Sequence, residues 1–260
     1  MPRLATLSAF LLTIPFASQA QWTQACGECA IGEERTLPEA RNCAFRNAVE
    51  AALNASGLER IVQSTTTLQS AETAKQSSQL FVEASAVTWK GGVRGEREGE
   101  YTTKIDDLGD VVVAYCAEFD VVGYSTAPSP AFRFQVEGLQ SVYEQGAKLE
   151  FEVVGPAGYL QAFLLEGEHA YRFLPNPNEP TGYAEPFART AIPAPASQQE
   201  YELTQEPGEE GPWSLVFVFT NADLSAGVPD QLAARDLMFW MQAIEPENRF
   251  TLTHPFVFAD

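Results

Sequence analysis

The spacing of apolar residues predicts one long helix near the start of the chain. Thr36-Leu37-Pro38-Glu39 is a capping box, in which a threonine and a glutamate three residues later satisfy each other's backbone N–H groups. Gly57 marks the helix end, since glycine readily adopts the left-handed conformation found there. Apolar residues three and four apart form one face made mostly of alanine: Ala40, Cys43, Ala44, Ala48, Ala51 and Ala52. A helix with such a face can lie close to a sheet.

Strands are predicted after this helix at residues 60–66, 80–90, 99–105 and 111–122. The last run is almost continuously apolar, which is typical of a central strand that is buried on both faces. The first half of the chain is therefore predicted to be a small α+β domain.

The pattern changes after Ser125–Pro130, a segment of small residues and prolines that we interpret as a linker. Beyond it, apolar and polar residues alternate in short runs between glycine turns, as in a β-sandwich. One helical stripe interrupts this pattern between Pro229 and Pro246, and a final strand follows at Phe250–Phe258. The predicted fold class is α+β: a small N-terminal α+β domain (residues 21–124), a linker (125–131) and a mostly-β, sandwich-like domain with one late helix (132–260).

Two apolar runs within residues 158–182 predict a hairpin in the second domain. They meet at Glu166-Gly167-Glu168, and the second run breaks at an Asn-Pro-Asn turn. We interpret the hairpin as scaffold whose polar residues form a candidate rim facing a partner: Glu166, Glu168, His169, Asn176 and Asn178. The proline-rich segment Ala184–Gln199 is predicted to be an extended loop between strands.

Residues 1–20 have the pattern of a secretory signal peptide. A basic start at Arg3 precedes an apolar run, Leu4–Phe16, and small residues at positions −3 and −1 favour cleavage after Ala20. The run is too short to cross a hydrocarbon core of about 30 Å. The residues before Cys26 do not form a lipoprotein signal. The chain is therefore predicted to be periplasmic or secreted, and not membrane-spanning.

Charge narrows the choice of partner. The formal net charge is −19, from 35 acidic and 16 basic residues, and the basic residues do not cluster. This composition argues against binding to nucleic acid, which needs clustered Lys and Arg, and against attraction to an anionic membrane. The main effect expected of the charge is solubility, with a cationic or Ca²⁺ partner as the alternative.

Four cysteines in an exported chain predict two disulfides. Three pairings are open, and we favour Cys43–Cys116 with Cys26–Cys29, because Cys43 lies on the buried helix face and Cys116 in the central strand. Cys26-Gly27-Glu28-Cys29 also has the spacing of a redox-active dithiol. No strand is predicted before it, however, so a disulfide that anchors the N-terminal segment is the favoured interpretation. The four cysteines lack the second close pair of a typical zinc site.

The remaining candidates for chemistry are weak. His169 and His254 are the two histidines of the chain, and no G-x-S-x-G nucleophile motif accompanies them. Asp106-Asp107-Leu108-Gly109-Asp110 lacks the alternating ligands of an EF-hand and favours a hairpin turn. Other acidic pairs fall in loops, where a solvated turn is the ordinary explanation. No catalytic residue, metal ligand or cofactor is predicted.

Part of the second domain resembles the bacterial family called domain of unknown function 4384. Gly158–Phe163 leads through a turn to Arg172-Phe173-Leu174-Pro175-Asn176, the order of elements that this family shows, with Phe-Leu where the family usually has Leu-Phe. Tyr201–Leu203 and Gly211–Val216 take the places of two later strands, so that the resemblance covers residues 132–223. It implies a β-rich accessory module of exported proteins, without established catalytic residues.

The first domain is similar to the N-terminal domain of the flagellar assembly protein T family. The similarity rests on Glu39–Val49 (EARNCAFRNAV), Val82–Ala86, Gly91-Gly92 and Val112–Val122. It implies a place among periplasmic and envelope assemblies. The chain departs from that family downstream, so no flagellar role is implied.

These observations predict a non-catalytic exported envelope protein that acts as a protein-binding or assembly module. Exposed sheet edges or the Ala184–Gln199 loop would dock an envelope partner, and the acidic surface would influence partner choice. The oligomeric state stays open. Two alternatives are kept: a periplasmic thiol–disulfide oxidoreductase that uses Cys26 and Cys29, and a carboxylate-dependent cell-wall hydrolase.

Overall fold

The predicted N-terminal helix is present in the computed structural model, which describes residues 21–32, 35–58, 60–62, 87–180, 182–197, 199–205 and 213–259. Helix α1 (Leu37–Ala55) follows Thr36, whose backbone N–H donates to the Glu39 carboxylate at 2.6 Å. Both halves of the capping box are therefore formed. Gly57 has φ +72°, the left-handed value expected at the helix end.

Helix α1 covers one face of an antiparallel sheet in the order β1-β5-β4. These strands are β1 (Gln21–Ile31), β4 (Gly91–Ile105) and β5 (Val111–Gly123), and a separate pair joins β2 (Arg60–Val62) to β3 (Val87–Trp89). A Cβ atom at Gly27 would lie 2.2 Å from the backbone nitrogen of Ala48, so the close approach of α1 to β1 requires glycine there. The central position predicted for residues 111–122 is confirmed. Much of the predicted strands at 60–66 and 80–90 lies outside the described residues.

The second half forms a sandwich of strands. A large sheet has the order β16-β11-β10-β15-β17-β7, with β12 also paired to β10, and its pairs are antiparallel except for the parallel β17 and β7. Smaller sheets have the orders β13-β9-β6 and β14-β8. The strands are β6 (Gln135–Glu137), β7 (Val142–Tyr143), β8 (Ala147–Lys148), β9 (Phe151–Val154), β10 (Gly158–Glu166), β11 (His169–Leu174), β12 (Tyr183–Ala184), β13 (Thr190–Ile192), β14 (Glu202–Leu203), β15 (Trp213–Thr220), β16 (Gln231–Ala233) and β17 (Arg249–Phe258).

The late helix is α2 (Ala234–Ala243), which starts after the predicted Pro229-Asp230. Residues 231–233 form β16 instead, because they pair with the edge of β11 from His169 to Tyr171. The predicted fold class is confirmed: a small α+β part precedes a β-rich remainder with one late helix. No helix within the described ranges is long and apolar enough to cross a membrane.

Two apolar cores meet at the large sheet. The first lies between α1, the β1-β5-β4 sheet, α2 and one face of the large sheet, and the second lies between its other face and the β13-β9-β6 sheet. Alternate residues of β15 divide between them: Val216 and Val218 enter the first core, Phe217 and Phe219 the second. All eight residues of β15 are buried as a result. The first core contains residues from both sides of the predicted linker. The domain boundaries stay a prediction.

Polar contacts accompany this shared core where α2 packs on β4. The Gln242 carboxamide oxygen accepts the Val93 backbone N–H at 2.7 Å. Arg235 of α2 donates to the Glu96 carboxylate, which also accepts the Tyr115 hydroxyl at 2.7 Å. The Arg235 guanidinium lies 4.8 Å from the centre of the Phe45 ring in α1. Arg235, which lies in the second half of the chain, thus contacts both helix α1 and strand β4 of the first half.

Candidate functional site

The four cysteines form two disulfides, but the favoured pairing is wrong. Cys26 is bonded to Cys116, and Cys29 is bonded to Cys43. Cys26 and Cys116 stand directly opposite each other in the β1–β5 ladder, with Cα atoms 4.1 Å apart. Residues three apart in a strand point to opposite faces, so Cys29 points toward α1 and meets Cys43 there. The prediction failed because it assigned no strand to residues 21–31.

This arrangement differs from a redox-active dithiol. Such a motif pairs its two cysteines with each other, and the first thiolate is stabilised at a helix N-terminus. Here Cys26 and Cys29 lie within a strand and bond to partners on opposite faces of the sheet. Both disulfides therefore join elements of the fold: one links β1 to β5, and the other links β1 to α1.

The predicted rim residues divide between two places. Glu166, Glu168 and His169 lie at the β10–β11 turn, where Gly167 has φ +54° and the Glu168 carbonyl accepts the backbone N–H at the start of α2. Asn176 and Asn178 follow the other end of β11. The structure does not bring these five side chains together, and their contact with a partner stays a prediction.

Asn176 organises its own turn. Its side-chain oxygen accepts the backbone N–H groups of Asn178 at 2.9 Å and Glu179 at 3.0 Å. Its side-chain nitrogen donates to the Phe173 carbonyl and to the Tyr201 hydroxyl, at 2.8 and 2.7 Å. The Asn178 side chain donates to Gln199 at 2.6 Å. The turn predicted at Asn176-Pro177-Asn178 is therefore tied to the segment around residues 199–201.

A buried carboxylate completes this connection. Glu179 is 9% exposed, and its carboxylate accepts the Ala194 backbone N–H at 2.5 Å and the Tyr201 hydroxyl. Burial, and then the hydrogen bond to Glu179, raise the pKa of Tyr201, so its hydroxyl stays a donor. Glu179 and Tyr201 were not identified from the sequence, because nothing in their spacing indicates that they meet.

A difference in the lengths of two connecting segments places a cleft beside this network. The segment between β8 and β9 has two residues, whereas the segment between their partners β14 and β13 has nine, residues 193–201. The described residues of the longer segment, 193–197 and 199–201, leave the sheet, and we call them the wall segment. It encloses a cleft of about 620 Å³ against β6, β9 and β13. This volume lies within the range of about 300–1,000 Å³ that is typical of ligand sites.

The cleft combines an apolar surface with charged side chains. Its apolar lining is Leu149, Phe151, Ala191, Ile192, Pro193 and Pro195, and its charged lining is Glu137, Lys148, Glu150, Glu152 and Glu200. Much of this lining belongs to the segment Ala184–Gln199 that the sequence singled out by its prolines. The prediction of a loop there is wrong for residues 190–192, which form β13 because they pair with β9.

The charges of the cleft leave an acidic excess. Arg189 donates to both Glu137 and Glu152 at 2.6 Å, and Lys148 donates to Glu200 at 2.6 Å. Glu150 is exposed and forms no ion pair with a described residue. Four carboxylates and two basic groups thus leave an excess of two negative charges. Since the paired side chains are all well exposed, water screens these ion pairs and they contribute little to stability.

The described carboxylates of the cleft differ in arrangement from those of a glycosidase. A glycosidase holds an acid and a second carboxylate at a fixed separation across the substrate, whereas three of the cleft carboxylates here are engaged by basic side chains.

The other residues considered for chemistry lie elsewhere. His169 lies at the β10–β11 turn, and the Nε2 atom of His254 is 2.9 Å from the Gln140 carbonyl. Within the part of the chain that the structure describes, no three His, Cys, Asp or Glu side chains converge as a metal site would require. The turn predicted at residues 106–110 is confirmed, because Asp106 accepts the backbone N–H groups of Leu108 and Asp110.

Compared with models of protein families, with curated proteins and with solved structures, the chain has no significant match. The resemblances of its two halves therefore stay predictions.

Proposed function

We propose that this protein is a non-catalytic, exported envelope protein that binds a partner protein through the cleft beside the wall segment. The cleft is the observation that carries the proposal. It is large enough for several side chains, and it is lined by both apolar and polar groups, as binding sites are.

The preformed shape of the cleft supports a binding role. Glu179 holds the wall segment at Ala194 and Tyr201, and Asn178 holds it at Gln199. A segment fixed at three points loses little conformational entropy when a partner binds, so more of the contact energy appears as affinity.

Two further observations support export. Both disulfides join separate elements, and such bonds persist in oxidising compartments. Residues 1–20 have the pattern of a cleavable signal. The resemblances of the two halves to exported modules point the same way.

Site-specific photo-crosslinking in cells tests the proposal. The photoreactive residue p-benzoylphenylalanine replaces Ala191, which lines the cleft, or Ala30, which is exposed on strand β1 away from it. We expect irradiation to give one dominant, stoichiometric adduct from position 191 and none of that mass from position 30. Mass spectrometry of the adduct identifies the partner and its compartment.

Equal adducts from both positions, or none from position 191, would contradict a binding role for the cleft. In that case the exposed residues of β4 and the exposed hairpin tip at Leu108 would be the next positions to label.

A further inference from the structure

We infer that the cleft recognises an extended segment of its partner that carries a lysine or arginine side chain, with the basic group held by Glu150 and Glu200. This inference rests on the proposed function and specifies the chemistry of the partner.

The charge distribution favours a basic occupant. Glu150 lines the cleft without an ion-pair partner among the described residues, and it stands beside the Lys148–Glu200 pair. The side chains of Lys148 and Glu200 are 56% and 67% exposed, so an incoming cation can compete for Glu200 at little cost in stability. An anionic side chain entering the same space would face the excess of carboxylates.

The apolar lining suits the rest of a basic side chain. Lysine and arginine place their aliphatic stems along apolar surface and keep the charged end in a polar environment. Pro193 and Pro195 offer such a surface on the wall segment, and Phe151 and Ile192 also line the cleft. A site that is apolar inside and acidic at its exposed carboxylates matches a long basic side chain better than a short or purely apolar one.

The charge of the whole molecule excludes a second copy as the favoured occupant. The chain has a formal net charge of −19, so two copies repel each other at long range. The same field attracts a basic segment and increases its association rate. Charge complementarity therefore points to a partner of opposite sign.

Selection from a random peptide library tests the inference. Immobilised protein is presented with displayed twelve-residue random peptides, and the fraction of Lys and Arg in the recovered pool is measured by sequencing. The charge variant is Glu150→Lys/Glu200→Lys. Its matched control is Asp107→Lys/Glu247→Lys, which changes the net charge equally at exposed positions outside the cleft.

A second pair of variants tests whether the peptides bind in the cleft. Ala191→Trp fills the cleft from strand β13, and Ala30→Trp places the same side chain on exposed strand β1. We expect a pool enriched in Lys and Arg that binds the wild type and Ala30→Trp but not Ala191→Trp. Its affinity should fall by about 10-fold or more in the Glu150/Glu200 variant and by much less in the charge control.

The outcomes separate the two proposals. A pool that Ala191→Trp excludes, but that is not enriched in basic residues, overturns this inference and leaves the proposed function standing. An equal loss of affinity in both charge variants also overturns it, because long-range attraction would then explain the binding. If no pool is recovered, or if Ala191→Trp changes nothing, both proposals fail.

Discussion

At the scale of single residues, Glu179 and Tyr201 show how the cleft is held in shape. The carboxylate is buried, and its described partners, a backbone N–H and a hydroxyl, are neutral. Removing this acceptor leaves two partly buried donors, the Ala194 N–H and the Tyr201 hydroxyl, unsatisfied, at a cost of about 1–3 kcal/mol. The wall segment therefore depends on two side chains that lie 22 residues apart in the sequence.

This pair predicts a loss of stability in alkali. Burial and the Glu179 hydrogen bond raise the pKa of Tyr201 above its ordinary value of 10.0. A raised pKa means that the folded protein keeps the proton that the unfolded chain loses, so the stabilisation is complete below pH 10 and declines as the pH rises above it. We expect Tyr201→Phe to be less stable than the wild type at pH 7 and to lose less stability between pH 9.5 and 11.

Urea unfolding at a series of pH values measures this difference. Tyr183→Phe, at a more exposed tyrosine, is the control and should follow the wild type. Parallel pH profiles for the wild type and Tyr201→Phe would show that the Tyr201 hydroxyl is not held by Glu179.

At the scale of elements, local patterns predicted α1, β5 and the late helix, because capping residues and runs of apolar residues mark them. Strand β1 was missed for a physical reason. Its inward residues Ala25, Gly27 and Cys29 are small because α1 lies so close, so the strand lacks the alternation of large apolar residues that indicates one. The missing strand then led to the wrong disulfide pairing.

The cleft could be predicted only in part. Prolines marked the segment Ala184–Gln199. The position of the wall segment, however, follows from the unequal lengths of the segments that join β8 to β9 and β13 to β14. Which strands pair depends on the tertiary structure, and the local spacing of apolar residues does not indicate it. The contact of Glu179 with Ala194 and Tyr201 is of the same kind.

The two disulfides should differ in their effect on stability. Cys26–Cys116 closes a loop with a sequence separation of 90, and Cys29–Cys43 one with a separation of 14. Loop-closure entropy predicts that the longer bridge stabilises by about 4–5 kcal/mol and the shorter by about 3 kcal/mol. We therefore expect Cys26→Ala/Cys116→Ala to lower the free energy of unfolding more than Cys29→Ala/Cys43→Ala.

Chemical denaturation of the two double variants gives this ranking. Peptide mapping of the unreduced wild type checks the pairing itself, since cleavage after Glu28 separates Cys26 from Cys29. A covalent link between Cys43 and Cys116 in that map would contradict the structure, and the opposite stability order would contradict the loop-length argument.

At the scale of the whole molecule, the large sheet joins the two halves because each of its faces belongs to a different core. Arg235 strengthens this connection by contacting Glu96 and Phe45 at once. The Glu96 side chain is 15% exposed, so it is largely removed from water. Loss of its cation leaves a poorly solvated charge.

We expect Arg235→Ala to destabilise the protein by about 1–3 kcal/mol, since a partly buried carboxylate loses its charged donor. The matched control is Arg189→Ala, which removes an arginine that also bonds to carboxylates but is 60% exposed. Its effect should be much smaller than that of Arg235→Ala, because water screens an exposed ion pair. Urea denaturation compares the two, and equal effects would show that Arg235 does not stabilise the contact between the halves.

The nested arrangement of the disulfides also has a consequence for biogenesis. Under the proposed export, the chain emerges into the oxidising compartment from its N-terminus, so Cys26, Cys29 and Cys43 all arrive before Cys116. Until then, the thiols of the chain that Cys26 can meet are Cys29 and Cys43, and both are incorrect partners. An incorrect disulfide that Cys26 forms early has to be exchanged later, through attack of a thiolate on that disulfide. The yield of native protein should therefore depend on disulfide isomerisation as well as on oxidation.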